Sequence, residues 1–129
     1  MSGSNKTILL VDDDADLVLA LTKLLEKNGY KILSAPNIAL GYETAKKEKP
    51  DAIIIDVIMD KYTDGFTLVN NLVTDPATAT IPRIILSSLG LQDALDMIYP
   101  EELGIKRILR KPVQPGDLLE AVRSLTEGD

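Results

Sequence analysis

Acidic side chains directly follow two short apolar segments of this chain. Asp12 and Asp13 come after the apolar run that ends at Val11, and Asp56 follows the sequence Ala-Ile-Ile-Ile. If these segments are neighbouring strands of one sheet, the carboxylates meet at its edge and repel one another by roughly 1 to 4 kcal/mol per close pair. A bound cation would compensate that repulsion, and oxygen ligands of this kind favour Mg²⁺ or Mn²⁺ over zinc.

A hydroxyl and a lysine follow two further apolar segments. Ser87 ends the run Ile-Ile-Leu-Ser, and Lys111 precedes Pro112. A carboxylate beside a hard cation, a lysine and a hydroxyl can accept a phosphoryl group, because the cation and the ammonium neutralise the oxygens on which charge develops. The chain contains no Cys and no His, which excludes a thiolate nucleophile, a thiolate or imidazole zinc site and a Ser-His-Asp triad.

Each of these residues also has a purely structural interpretation. The first aspartate cluster suits the N-terminus of a helix, and we expect Asp14 or Asp16 to cap one there. Ser87 and Lys111, taken singly, are typical of a strand end and of a protein surface. Asp56 is harder to explain in this way, because an unpaired carboxylate at the end of a strand buried on both faces is energetically costly.

Short runs rich in Ile, Leu and Val alternate with amphipathic stretches of helical period along the chain. This pattern is typical of a parallel sheet with helices on its faces. The predicted strands are 6–11, 31–35, 51–56, 81–87 and about 105–110. Right-handed crossovers then predict an α/β fold of (βα)5 type, a doubly wound five-stranded parallel sheet of order 2-1-3-4-5 with helices on both faces.

Turn and capping residues mark the predicted helices between these strands. The helices are a leucine stripe from Leu17 to Leu25 that ends before Asn28-Gly29, the stretch 37–48, a stripe from Phe66 to Val73 that ends at Asp75-Pro76, the stretch 91–99, and a last helix that begins at Pro115. The stretches 37–48 and 91–99 have the weakest helical pattern of the five.

Length and composition favour one domain. The 129 residues, 45% of them hydrophobic and 26% charged, are enough to close one core but not two. We expect this domain to span 6–126, with flexible tails at 1–5 and 127–129. The net charge of −6 disfavours direct nucleic-acid binding. No apolar run approaches the roughly 20 residues of a membrane span, so we expect a cytoplasmic protein.

The sequence resembles the receiver domains of response regulators over about residues 6–125. The matching motifs are Ile-Leu-Leu-Val-Asp-Asp-Asp, Pro-Asp-Ala-Ile-Ile-Ile-Asp, Asp-Gly-Phe, Ile-Pro-Arg-Ile-Ile-Leu-Ser, and Lys-Pro before a final amphipathic helix. The resemblance implies a flavodoxin-like fold and a role in two-component signalling, in which a phosphohistidine of a sensor histidine kinase or a phosphotransfer protein donates the phosphoryl group. It also implies that the domain catalyses its own phosphorylation and dephosphorylation, with no turnover of a separate substrate.

The same resemblance implies a role for each candidate residue. Asp56 would be the phosphoacceptor, Ser87 the switch hydroxyl that moves onto the phosphoryl group, and Lys111 its cationic partner. Mg²⁺, or Mn²⁺ in its place, would be held by Asp12, Asp13, Asp56 and the backbone carbonyl of Ile58. Phosphorylation would then alter the face made by the helix at 91–99, the fifth strand and the last helix, where an output domain or a second copy would bind.

The sequence departs from the family pattern in the loop after the acceptor, at the switch aromatic, in the segment from Ser87 to Lys111, which is about two residues longer than usual, and at two further positions. Met59 is followed by Asp60 instead of proline, and Asp64-Gly65 lies one residue farther along, so the loop beside the site is longer and more acidic. Ile108 stands where the family has its switch aromatic. Apolar residues, Ile58 and Leu89, stand two positions after the acceptor and after the switch hydroxyl. We therefore expect that the coupling between phosphorylation and the output face is altered. We also expect slow hydrolysis of the phosphorylated state.

Three other functions are alternatives to a phosphoacceptor domain. A pseudo-receiver that binds a partner without being phosphorylated would keep the fold, and the reshaped loop leaves that alternative open. A phosphatase that forms an aspartyl-phosphate needs a second aspartate where Ile58 stands. A flavin carrier needs a phosphate-binding loop after the first strand, where three aspartates would repel the phosphate.

Overall fold

A computed structural model gives the fold of residues 6–56, 71–87, 105–110 and 113–126. For residue 87 and residues 105–110 the structure describes the backbone only, except at Leu109, whose side chain is also described. The predicted tails at 1–5 and 127–129 and the predicted helix at 91–99 lie outside the described residues, as does most of the predicted helix that starts at Phe66.

Five parallel strands form one sheet in the order β2-β1-β3-β4-β5. They are β1 (Thr7–Val11), β2 (Lys31–Ala35), β3 (Ala52–Asp56), β4 (Arg83–Ser87) and β5 (Ile105–Arg110). All five residues of β3 are buried, as expected for a central strand covered on both faces. The order 2-1-3-4-5 confirms the predicted flavodoxin-like topology, and it makes β1 and β3 the strands between which the chain reverses direction across the sheet.

Three helices are described completely: α1 (Ala15–Lys27), α2 (Ile38–Glu48) and α3 (Pro115–Thr126). Asp14 caps α1 by accepting a hydrogen bond from the backbone N–H of Leu17 at 3.1 Å, which confirms one of the two predicted caps. Asn37 caps α2 in the same way. The predicted stop after α1 is also present, since Asn28 is the C-cap and Gly29 has a φ of 95°, a conformation that favours glycine.

Residues 71–74 are helical and are followed by a turn that leads through 75–80 to β4. The predicted stop at Asp75-Pro76 therefore lies where the helix ends. Asp75 holds the turn with its own carboxylate, whose Oδ1 accepts a hydrogen bond from the Ala77 N–H at 2.9 Å.

Apolar side chains alternate between the two faces of the sheet. One face carries a single cluster in which α1 and α3 pack on the strands, formed by Ile8, Leu10, Leu21, Leu25, Tyr30, Ala52, Ile54, Ile84, Leu86, Leu109, Leu118, Ala121 and Val122. The intervening strand residues, such as Leu9, Ile53 and Ile85, are also fully buried. On that second face α2 contacts β1 and β2. Helices thus cover both faces, and the carboxyl ends of the strands are left as the edge on which polar side chains collect.

Candidate functional site

The sheet brings the two predicted acidic segments together. Val11 pairs with Ile55 in the parallel register of β1 and β3, so Asp12 and Asp56, which follow them, lie at the same level on neighbouring strands. Asp12, Asp13 and Asp56 each offer one carboxylate oxygen, and these three oxygens lie within 4.8 Å of one another. The three aspartates that the sequence assigned to a metal therefore converge on one point.

Burial distinguishes two of these aspartates, Asp12 and Asp56, from ordinary surface acids. Asp56 is 2% exposed and Asp12 is 6% exposed, whereas Asp13 is exposed. Moving two carboxylates out of water while holding them this close is unfavourable for both charged forms. A divalent cation between them would relieve this cost, and the open side at Asp13 leaves a route for the cation and for water.

Backbone hydrogen bonds fix the carboxylate of Asp12. Its Oδ1 accepts a hydrogen bond from the Asp14 N–H at 2.9 Å, and its own N–H donates to the carbonyl of Ala35 at 3.1 Å. Asp14 meanwhile caps α1. The three consecutive aspartates therefore have two roles. Asp14 caps the helix, and Asp12 and Asp13 lie close to Asp56.

The backbone of Ser87, the residue predicted to carry the switch hydroxyl, ends the neighbouring strand β4. Asp56 pairs with Leu86, so Ser87 follows one residue beyond the level of the acceptor on a strand that lies about 4.8 Å away. Ser87 pairs with Arg110, the last residue of β5, and Lys111 comes next in the chain. The backbone therefore brings Ser87 and Arg110 to the same edge, whereas Lys111, Ile58 and Leu89 lie outside the described residues.

A groove beside the acidic cluster was not predicted from the sequence. It has a volume of about 430 Å³ and runs from Asp12 and Asp13 between α1 and the end of β2, with Val18, Leu19 and Pro36 in its walls. Leu19 is 54% exposed. The signal for this groove was present in the sequence, since Leu19 falls outside the stripe of leucines that packs α1 on the sheet.

Adding Mg²⁺ should raise the melting temperature of the protein, because the cation binds the converged carboxylates of the folded chain only. At a tenfold excess over the dissociation constant the gain is about 1.4 kcal/mol, which corresponds to a few degrees for a domain of this size. Thermal melts with and without Mg²⁺ measure it. Asp13→Ala should remove the gain, and equal midpoints for the parent protein at saturating Mg²⁺ would contradict a metal site here.

No helix among the described residues is long and apolar enough to cross a membrane.

Comparison with known proteins gives one consistent family. The family model for the response regulator receiver domain matches residues 8–123. Protein PilH of Pseudomonas aeruginosa is 33% identical over 121 residues, which cover 94% of this chain and 98% of that protein. The phosphate regulon transcriptional regulatory protein PhoB of the same organism is 32% identical over 93% of this chain but only 51% of its own length, so the chain spans about half of this larger relative.

Solved structures agree with the family match. A putative response regulator from Chloroflexus aurantiacus has a TM-score of 0.84 at 30% identity, and the match covers 97% of this chain and all of that one. The receiver domain of sensor histidine kinase PA1611 from Pseudomonas aeruginosa, whose structure has a magnesium ion coordinated in the active site cleft, has a TM-score of 0.84 at 20% identity, with 97% of this chain and all of that one covered. The latter likeness concerns the fold alone.

Proposed function

The chain belongs to the response regulator receiver domains, the phosphoacceptor modules of two-component signalling, and we propose that Asp56 is the residue that accepts the phosphoryl group. The observation that carries this proposal is the position of Asp56, a carboxylate that is 2% exposed at the end of the central strand β3. One of its oxygens lies within 4.8 Å of an oxygen of Asp12 and of an oxygen of Asp13, so the nucleophile and the proposed cation ligands form one group.

The phosphoryl donor lies outside these 129 residues. A carboxylate oxygen of Asp56 attacks phosphorus, the bond from phosphorus to the donor breaks, and the leaving group takes up a proton. Because this chain contains no histidine, a phosphohistidine donor belongs to a sensor histidine kinase or a phosphotransfer protein. The groove beside Asp13, with the half-exposed Leu19 on its wall, offers such a partner apolar surface next to the acceptor.

Receiver domains bind Mg²⁺ in the active site, and the acidic cluster of this chain fits such an ion. We assign the cation to Asp12, Asp13, Asp56 and the backbone carbonyl of Ile58, with Mn²⁺ able to use the same oxygen ligands. When bound, the cation would offset negative charge on the phosphoryl oxygens. Lys111 would pair with those oxygens from the end of β5, and the Ser87 hydroxyl would move onto the phosphoryl group after transfer.

The domain acts on itself. Phosphorylation and hydrolysis both occur at Asp56, and we assign no separate substrate to the protein. The output follows from a conformational change on the face made by 91–99, β5 and α3, which would bind an output domain or a second copy. We place the protein in the cytoplasm, and its net charge of −6 makes direct nucleic-acid contact by this domain unfavourable.

Incubation with acetyl phosphate and Mg²⁺, followed by mass spectrometry of the intact protein, tests the proposal. We expect a single added phosphoryl group with Mg²⁺ and none when the metal is removed with a chelator, because charge on the transferred group would then be uncompensated. A protein that folds normally but gains no mass under either condition would instead be a pseudo-receiver.

We expect the phosphorylated state to be long-lived. Hydrolysis needs a water molecule in line with the bond between phosphorus and Asp56, and the polar side chains that position such water in the family are replaced by Ile58 and Leu89. Neither side chain can donate or accept a hydrogen bond. The double substitution Ile58→Asn with Leu89→Glu should therefore shorten the lifetime on the order of tenfold.

The lifetime is measured as loss of the added mass after the phosphodonor is removed in the presence of Mg²⁺. Asp60→Asn is the control, since it changes the acidic loop without adding a group that orients water, and it should change the lifetime little. Decay of the parent protein within seconds would show that another group positions the water.

A further inference from the structure

Three side chains join α2 to the turn before β4. Tyr42 and Lys46 lie one helical turn apart on α2, on the same side of the helix, and both contact Asp75. The turn at 75–80 leads into the first residue of β4. Tyr42, Lys46 and Asp75, here called the α2 latch, therefore connect a helix on the second face of the sheet with the segment that carries Ser87 at its far end.

Both α2 residues of the latch contact the carboxylate of Asp75. The Tyr42 hydroxyl donates a hydrogen bond to Asp75 Oδ2, and Lys46 Nζ lies 3.4 Å from the same oxygen and 5.6 Å from the centre of the Tyr42 ring. The hydroxyl of Tyr42 and the Ala77 N–H lower the pKa of Asp75. Hydrogen bonds to an ionised acceptor are the stronger kind, so the carboxylate is held charged between α2 and its own turn.

An arginine of β4 also holds the 75–80 turn. Arg83, the first residue of β4, is fully buried, and its Nη2 donates to the carbonyl of Thr78 at 2.9 Å and to that of Ala79 at 3.2 Å. The buried Thr78 hydroxyl donates to the carbonyl of Leu72 at 2.7 Å. Burial lowers the pKa of Arg83, and these two carbonyls give its buried guanidinium hydrogen-bond acceptors.

We propose that the α2 latch joins α2 and the 71–80 segment into one rigid unit, so that the conformational change that starts at Asp56 and Ser87 is kept out of α2 and is directed toward the β4–β5 edge. The proposal rests on the proposed function, because it assumes that a phosphoryl group on Asp56 starts the change. Movements in proteins involve the segments that open at the lowest free energy, and a helix held by side-chain bonds to the neighbouring turn opens less readily.

Hydrogen–deuterium exchange of the Mg²⁺-loaded protein, with and without beryllofluoride as a phosphoryl mimic, tests the α2 latch. In the parent protein, beryllofluoride should slow exchange in peptides that contain β3 and β4 and leave peptides from α2 unchanged. Tyr42→Phe removes one hydroxyl and keeps the ring beneath Lys46. In this variant α2 should exchange about fivefold faster before ligand is added, the effect of one lost hydrogen bond, and should now respond to beryllofluoride.

Tyr30→Phe is the matched control, because Tyr30 is buried in the cluster on the opposite face of the sheet and its loss of a hydroxyl should not change the α2 response. A merely structural role for Tyr42 would speed exchange throughout the protein and leave the pattern of ligand response as it was. The proposal is overturned if α2 responds to beryllofluoride in the parent protein as strongly as β4 does. It is also overturned if α2 exchanges no faster in Tyr42→Phe than in Tyr30→Phe.

The measurement without ligand separates this inference from the proposed function. If beryllofluoride changes exchange in none of the peptides, including those that contain Asp56, the proposed function fails. Selective acceleration of α2 and 71–80 in unliganded Tyr42→Phe would still support the rigid unit, and its absence would refute it.

Discussion

Replacing Asp56 with asparagine should abolish phosphoryl incorporation from acetyl phosphate. The amide has the shape of the carboxylate but not its charge, so it lacks the nucleophilic oxygen and also withdraws one of the three carboxylates that lie within 4.8 Å of one another. Because Asp56 is 2% exposed, removal of its charge should not destabilise the fold and is expected to relieve repulsion. Mass spectrometry of the intact variant after incubation with Mg²⁺ measures the result.

Asp51→Asn is the matched control for this variant. Asp51 directly precedes β3, at the other end of the strand from Asp56, and its Oδ2 accepts a hydrogen bond from the Thr7 N–H at 2.8 Å. It is exposed and lies far from the cluster, so the control should gain one phosphoryl group like the parent. Equal incorporation in Asp56→Asn and the parent would place the acceptor elsewhere.

Replacing Lys111 with alanine should slow phosphoryl incorporation by roughly 10²- to 10³-fold, the usual effect of removing one group that stabilises charge in a transition state. Lys111 follows Arg110, which pairs with Ser87 at the carboxyl end of the sheet. An ammonium at that end would meet the phosphoryl oxygens as they approach Asp56. The initial rate with acetyl phosphate and Mg²⁺ is the measurement, at a fixed protein concentration.

Lys106→Ala serves as the control for the loss of a lysine from the same strand. Lys106 is the second residue of β5, near the end of the sheet opposite to Asp56. Its substitution should leave the rate within about twofold of the parent, since a charge beyond the screening distance of about 10 Å contributes little. Equal losses in the two variants would mean that Lys111 acts through stability alone.

The carboxylate site could be predicted because its information is local. Each of Asp12, Asp56 and Ser87 stands at the end of a short apolar run, and parallel strands place all such ends at one edge. Prediction of the strand order required only the alternation of strands and helices and the right-handedness of the crossovers. The helix cap at Asp14 was one of two local alternatives, and the geometry of the first turn decided between them.

The α2 latch could not be predicted in this way, because its members are distant in the sequence and individually unremarkable. Tyr42 and Lys46 belong to a weakly amphipathic stretch, and the sequence around Asp75 predicts only the end of a helix. Arg83 stands in an apolar strand, where the sequence does not predict a buried guanidinium, and its partners include two backbone carbonyls that no sequence pattern marks. Contacts between elements depend on how the helices lie on the sheet, which residue spacing alone does not specify.

The most direct test of the account is to locate the phosphoryl group chemically. Borohydride reduces an aspartyl-phosphate to homoserine as phosphate leaves, so the modified residue is read from peptide masses after digestion. We predict homoserine at position 56 in protein treated with acetyl phosphate and Mg²⁺, and aspartate at that position in untreated protein. Homoserine at position 12 or 13, or a phosphoryl group that borohydride does not release, would contradict the assignment of Asp56 as the acceptor.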